Sequence, residues 1–429
     1  APQPLMYNFF KNIFKISKKL TSKDKSFLNI YKNTEVSKIF EAISNFNDTS
    51  EIRYVGGCVR KILNQEDVDD IDLAVNLSPN QVKECLQSSN IKFFETGIKH
   101  GTITANIDQK NFEITSLRED VDTDGRHAKV KYTTDWLKDS SRRDFTINSI
   151  YADKDGNLFD PNEGAKHLEE GSVIFIGNAD ERMQEDYLRI LRYIRFFLNY
   201  SNQPHNLSVQ KSIKQNIAGV ANLSKERLMS ELKKIILSKN FLEISKDFFL
   251  VEILTIIFPQ LVNLNNLEKI NNYSKNIFNK KKFIFIISYL IIDETDNANY
   301  FLFKYNFSNE DKKRIKFLIE NFELFSQKDF FNKKNLQRIF YFNNKSYVID
   351  LLDLKIFNSK IVPKKIIELK KYFERFEKPI FPLKAQDLLE KYKLKEGKEF
   401  GQKIRLLEDM WLNNSFKISN KEIDNVFGN

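Results

Sequence analysis

Cysteine is nearly missing from this chain. Only Cys58 and Cys85 occur in 429 residues, far apart and without CxxC spacing, so neither a disulfide framework nor a zinc site is supported. That usage fits a reducing compartment, and a cytoplasmic location is expected. Long apolar runs are missing too: the longest, Phe283 to Ile292, contains Ser288 and Tyr289 and falls far short of the roughly 20 residues that span a bilayer. A buried helix is expected there, and no membrane partner. Internal repeats and low-complexity blocks are absent. Acidic residues are outnumbered, 58 against 68 Lys and Arg, which leaves a net charge of +10 and a pI near 9.1. Such a balance favours a polyanionic partner, and charge alone leaves RNA, DNA and an acidic membrane surface open. At this length one ordinary core is insufficient, so two or more domains are expected.

Up to about residue 155, short β-rich runs alternate with helical patterns: Arg53 to Val55, Ile71 to Val75, Gly101 to Ile107 and Phe112 to Leu117. Thr102, Thr104 and Asn106 alternate with Ile103 and Ala105, the period of a half-buried strand. Gly156-Asn157 makes a turn before Leu158-Phe159-Asp160, and from Glu163 onward glycines are few and the pattern is helical. The expected fold class is α+β, an α/β head with a mixed sheet followed by an all-helical remainder. Ala1 to Leu5, ahead of Met6, read as an expression remnant, and Met6 to Lys32, rich in Lys and Phe but without the arginines of a transit peptide, as an N-terminal helix that touches nucleic acid.

Two short segments carry the chemistry. Gly56-Gly57-Cys58-Val59-Arg60 is followed by Asp70-Ile71-Asp72 on what reads as the next strand, where alternation puts Asp70 and Asp72 on one face. A glycine turn lets backbone N–H groups approach a polyphosphate, Arg60 pairs with its oxygens, and two carboxylates hold the Mg²⁺ ions such a ligand carries. Either motif alone is more often a turn or strand-end charge; together they outline a nucleotidyl-transfer site. Glu113, on the strand Phe112 to Leu117, is a candidate further carboxylate near the metals.

A second constellation runs from Glu185 to Phe196. At helical spacing Asp186, Arg189 and Arg192 form one stripe beside the apolar Leu188, Leu191 and Ile194. The plain reading is an amphipathic helix with ion pairs on its solvated side. The sharper one is a base selector. An aspartate acceptor beside an arginine donor complements the pairing edge of cytosine or adenine, whereas uracil and guanine present an N–H where the arginine needs an acceptor. Arg192 and Arg195 continue the stripe towards phosphates. A third run, Ser141-Arg142-Arg143-Asp144-Phe145-Thr146-Ile147-Asn148, reads either as a capped helix end or as a phosphate site, with Arg143 neutralising charge and Asp144 accepting from a ribose hydroxyl.

In order and spacing the chain resembles the class II tRNA nucleotidyltransferase and bacterial poly(A) polymerase family. The matching segments are the GGxVR and DxD pair, Arg118 followed by Asp124-Gly125-Arg126, the RRDFTIN run, the EDxxR helix, and Glu226-Arg227-Leu228-Met229-Ser230-Glu231-Leu232. They cover about residues 53 to 236. Asp69 departs from the family, which usually has Gly or Lys there. The resemblance implies a polymerase β-like nucleotidyltransferase head over 6–155, with helical neck, body and tail over 156–240, 241–330 and 331–429. It implies that Asp70 and Asp72 ligate two Mg²⁺ ions, that Gly56, Gly57, Arg60, Arg143 and Asp144 bind the nucleotide's triphosphate and sugar, and that Asp186 and Arg189 select the base with Arg192 and Arg195 in support.

The implied activity is addition of the terminal CCA to tRNA from CTP and ATP, without a nucleic-acid template. CC addition, poly(A) addition and a noncatalytic RNA-binding role on the same scaffold are the alternatives. The long polar segment from Arg118 to Asp135 resembles the family's flexible loop, which favours complete CCA addition; its plain reading is a surface loop. The implied partner is tRNA, gripped at its acceptor and TΨC arms by the basic helical body of a monomer or weak dimer, with Lys280, Lys281, Lys282, Lys364, Lys365, Lys370 and Lys371 as candidate contacts.

Overall fold

The computed structural model describes residues 26–123 and 128–428, which fall into two compact units dividing between Asn240 and Phe241. Asp124, Gly125 and Arg126 therefore lie outside the described residues, as does most of the N-terminal segment. In the first unit, helices α1 (residues 26–33) and α2 (Val36–Ser44) precede strand β1 (Ile52–Val55), helix α3 (Gly57–Leu63) and strand β2 (Asp72–Val75). Helix α4 (Pro79–Ser88) follows, started by a capping box in which Ser78 accepts from the Gln81 N–H and Gln81 answers to the Ser78 N–H, with Pro79 in the first turn. Strands β3 (Lys92–Gly97), β4 (Thr102–Ile107) and β5 (Lys110–Ser116) complete most of the sheet; β8 (Tyr151–Ala152) and β9 (Leu158–Phe159) close its other edge.

The sheet order is β3-β4-β5-β2-β1-β8-β9. Only β2 and β5 run parallel, with Asp72 opposite Glu113 and Leu73 opposite Ile114, so the sheet is mixed as expected. Alternation sorts its side chains. Ile52, Tyr54, Leu73, Val75, Ile103, Ala105, Phe112 and Ile114 face one way into a core completed by residues of α2, α3 and α4. Asp72, Glu113, Thr102 and Thr115 sit at the intervening positions and so share the opposite face.

Three expectations are corrected here. Strand β2 begins at Asp72, not Ile71, and Asp70 lies exposed in the segment before it; the two aspartates do not alternate along one strand. The reason is pairing: β1 and β5 offer partners only from Leu73 and Asp72 onward. The segment after Arg118 is a two-stranded antiparallel hairpin, β6 (Arg118–Thr123) and β7 (Ala128–Tyr132), rather than a loop throughout. Asp135 then caps helix α5 (Trp136–Ser141) through the Leu137 and Lys138 N–H groups.

Helices α6 (Gly164–Glu170), α7 (Ala179–Glu185), α8 (Leu188–Tyr200), α9 (Leu207–Asn216) and α10 (Lys225–Ile236) finish the first unit. The third correction falls between α7 and α8. The run Glu185 to Phe196 is not one helix, because Asp186 leaves helical geometry at φ −154°. Its Oδ1 accepts from the Leu188 N–H at 3.1 Å, a local bond of the kind that ends one helix and starts the next. Opposite the break the Tyr187 ring rests on Gly219, where a Cβ would lie 2.1 Å from it.

The second unit is helical from α11 (Phe248–Ile257) to α21 (Asn420–Phe427). Its centre holds α17 (Lys345–Phe357), buried around almost its whole girth, including Asp350 and Asp353. Asp353 is fully enclosed and paired with Lys281 and, at 2.8 Å, with Lys370; Asp350 meets Arg314 at 2.5 Å. Lys281 and Lys370 are thereby removed from the candidate RNA contacts. Removing one side of such a buried set strands the other. Asp353→Ala is expected to cost about 3–5 kcal/mol in chemical denaturation of the full chain, and a change below about 1 kcal/mol would show the lysines finding solvent instead.

Candidate active site

The polar sheet face opens into a cavity of about 590 Å³. Gly56, at φ +66°, makes the turn from β1 into α3, a conformation that a side chain resists. Gly57, the first residue of α3, lies close to both groups: a Cβ there would stand in ordinary contact, 3.9 Å from Asp72 Oδ2 and 3.8 Å from Arg60 Nη2. Asp72 and Glu113 sit side by side on parallel strands with no ion pair described between either of them and a cation. Burial first, then the charges of Glu113 and Asp70, hold the Asp72 carboxyl above its ordinary range, with Arg143 and Arg60 opposing. Asp70 does not line the cavity but is close enough to be felt. Asp69, the family departure, turns outward and pairs with Lys61 at 3.0 Å.

Around these carboxylates stand arginines. The cavity is lined by eight arginines against four carboxylates, an excess that suits a polyanion. Arg60 is buried; its guanidinium donates to Asn148 Oδ1 and lies 4.8 Å from the Phe196 ring centre and 4.9 Å from that of Tyr200. Arg143 donates to Asp139 and Tyr151. Arg192 donates to Asp144 at 2.6 Å, and Arg195 to Glu231 at 2.5 Å. Burial alone would raise the Asp144 carboxyl, but Arg192 wins and holds it below the usual carboxylate range. Asp144 also accepts from the Phe145 N–H and the Asn148 amide, so three of its roughly four acceptor positions are taken within the protein.

Asp186 and Arg189 both face the cavity, on either side of the helix break. Here their polar atoms are engaged within the protein. Arg227 donates to Asp186 Oδ2 at 2.8 Å, while Arg189 donates to Glu185 at 2.5 Å, to the Arg182 carbonyl at 2.8 Å and to the Arg142 carbonyl at 3.1 Å. These bonds hold both side chains in place, and pairing with any further group requires some of them to be exchanged. Cys58, inside the glycine motif, is no nucleophile: burial pushes its thiol up to about 11.

Of the expected site residues, then, Gly56, Gly57, Arg60, Asp72, Glu113, Arg118, Arg143, Asp144, Asp186, Arg189, Arg192 and Arg195 line one cavity. Sequence reasoning missed Arg142, Asn148 and Arg227 as lining residues, although each stands inside a quoted motif. It also missed the roles of two enclosed carboxylates behind the lining: Asp139, whose only sequence signal is an arginine at helical spacing, and Glu231, which stands inside the Glu226 to Leu232 segment and meets Arg195 from a facing helix.

A seven-stranded mixed sheet whose open face carries paired carboxylates among arginines is the head of a nucleotidyltransferase. Residues 52–174 match the family described as Poly A polymerase head domain, and residues 207–264 that described as "Probable RNA and SrmB- binding site of polymerase A". The chain is 34% identical over 390 residues to the Mus musculus "CCA tRNA nucleotidyltransferase 1, mitochondrial", covering 88% of this chain and 86% of that protein. The Homo sapiens protein of that name is 33% identical over 391 residues, with the same coverages. The chain belongs to the family of CCA tRNA nucleotidyltransferases. Among solved structures, Bacillus stearothermophilus CCA-adding enzyme in complex with CTP matches with a TM-score of 0.71 at 19% identity, over 89% of this chain and 93% of that one, a likeness of fold. No helix among the described residues is long and apolar enough to cross a membrane. The two relatives are named mitochondrial, so the expected cytoplasmic location rests on composition alone.

Proposed function

We propose that this enzyme completes the 3′ end of tRNA with C, C and A, drawing on CTP and ATP and releasing pyrophosphate. The observation that carries the proposal is the Asp72–Glu113 pair, like charges set abreast on parallel strands in a cavity where arginine predominates. Among the described residues no group of three or more side chains could by itself hold a metal ion. That donor set fits Mg²⁺, which takes one or two carboxylates and completes its shell with water and substrate phosphates. Asp72 and Asp70, with Glu113 beside them, would hold two such ions, which supply acidification of the RNA 3′-hydroxyl and neutralisation of charge on the departing pyrophosphate.

The chain's own residues do the rest. Arg60, Arg143, Arg192 and Arg195, each held by a hydrogen-bonding partner or an aromatic face, present a preorganised positive wall to the triphosphate. Asp144 orients the sugar. Asp186 accepts from the exocyclic amino group of cytosine or adenine, and Arg189 donates to the adjacent ring nitrogen. The acceptor and TΨC arms of tRNA lie on lysines of the helical body and tail, over 241–330 and 331–429, of a monomer or weak dimer.

The test is an incubation of the purified chain with tRNA lacking its terminal residues, Mg²⁺ and labelled CTP and ATP. The expected product is longer by C, C and A and grows no further. A stop after CC, a long A tract, or tRNA binding without incorporation would each replace the proposal with one of its alternatives.

A further inference from the structure

Asp139 lies in α5, 1% exposed, outside the cavity lining and outside every motif read from the sequence. Its carboxylate gathers donors from three directions. Oδ1 accepts from the backbone N–H of Arg118 at 3.1 Å, where hairpin β6–β7 begins, and from Arg142 at 2.9 and 3.0 Å. Oδ2 accepts from the Tyr151 hydroxyl at 2.6 Å and from Arg143 at 3.1 and 3.4 Å. Tyr151 is fully buried on β8 and receives Arg143 Nε at 3.1 Å, so the guanidinium is held on two sides. The hairpin root has a second tie to α5, because Glu119 meets both Lys131 at 2.9 Å and Lys138 at 3.1 Å.

A carboxylate with a full set of charge-assisted bonds has nowhere to move without breaking one. We propose that Asp139 is a positioning residue for nucleotidyl transfer: it fixes the Arg143 guanidinium and the root of the β6–β7 hairpin to each other, so that the phosphate-binding wall and the hairpin take up one joint arrangement. This rests on the assignment of Arg143 to the triphosphate. A carboxylate needed only for folding would hold α5 in place and leave nucleotide binding indifferent to its charge. A positioning carboxylate makes the two depend on the same atom. Burial alone would raise this carboxyl, but Arg143 and Arg142, with the Tyr151 hydroxyl, hold it well below the usual carboxylate range. It therefore stays charged throughout the range in which the enzyme would be assayed.

The experiment uses the full chain with tRNA ending in CC and ATP as the nucleotide. Asp139→Asn is expected to raise the KM for ATP about 10–100-fold, the worth of a charge-assisted bond, with a smaller fall in kcat and unchanged tRNA binding. Hydrogen exchange at the Arg118 amide is expected to accelerate in the same variant. Combining Asp139→Asn with Arg143→Lys should be no worse than the more damaging single change, because both act through one guanidinium. Should Asp139→Asn fail to fold, Tyr151→Phe carries the test. It removes one hydroxyl and keeps the ring against Trp136, and a roughly threefold to tenfold rise in KM is expected. A lowered melting temperature with unchanged KM, or strictly additive effects of the two substitutions, would overturn the proposal. Wild-type protein that incorporates nothing would instead sink the assignment of the cavity, before Asp139 is reached.

Discussion

Asp72→Asn is expected to abolish nucleotide incorporation while making the metal-free protein more stable. Loss of several kcal/mol of charge stabilisation in the transition state corresponds to about a 10³-fold fall in kcat. The stability change follows from the sign of the Asp72 shift. Its carboxyl is held above the ordinary value of about 4, so the folded chain binds this proton more tightly than the unfolded chain does. Between that ordinary value and the raised folded value, this group's contribution to stability therefore falls as pH rises. Above the window the charged group remains as a fixed cost. Asparagine removes that cost. At neutral pH with a chelator, the variant should melt above the wild type; adding Mg²⁺ should raise the melting temperature of the wild type and leave the variant where it was. Equal melting temperatures in chelator would mean that Asp72 carries no uncompensated charge, and the cation assignment would fall with it.

Arg189→Ala is expected to relax base selection. A site that hydrogen-bonds its substrate rejects analogues lacking the matching group by large factors, because buried polar atoms are left unpaired. Here incorporation of GTP and UTP relative to CTP and ATP should rise by about 10²-fold or more. The geometry adds a second consequence. Arg189 joins α8 to Glu185 at the end of α7 and to the Arg142 carbonyl, so its loss also loosens the helix break that carries Asp186. Total activity should fall together with selectivity. Steady-state incorporation of each nucleotide separately, with Arg189→Lys alongside, distinguishes the two: lysine restores a charge but not the planar fork. Undiminished selectivity in Arg189→Ala would place the choice of base elsewhere.

The sheet was legible because its strands obey local rules. Thr102, Thr104 and Asn106 against Ile103 and Ala105 is a period of two that survives into the fold, and the core takes one half of it. The carboxylates were legible for the same reason, up to the point where pairing ends: nothing in Asp70-Ile71-Asp72 says that β1 and β5 offer partners only from Leu73 and Asp72. The break at Asp186 was hidden because helical periodicity runs straight through it. Only the Asp186 carboxylate on the Leu188 N–H and the packing of Tyr187 on Gly219, a residue far along the chain, interrupt it. The hairpin after Arg118 was hidden by its polarity, which gives no alternation to detect. Asp139 was hidden by distance: an aspartate in a short amphipathic helix looks like surface charge until Tyr151 and the Arg118 amide are brought to it. Elements set by near neighbours were readable, and side chains whose partners come from other elements were not.

The enclosed Asp353 has a consequence for how this protein meets RNA. A lysine buried against a carboxylate keeps no loose counterions of its own and frees no phosphate counterions when a polyanion arrives. Lys281 and Lys370, enclosed with Asp353, therefore count among the 68 basic residues without standing at the surface where a phosphate would meet them. The logarithm of tRNA affinity should fall with the logarithm of salt more gently than a census of basic residues implies, and the two silent lysines account for part of the difference.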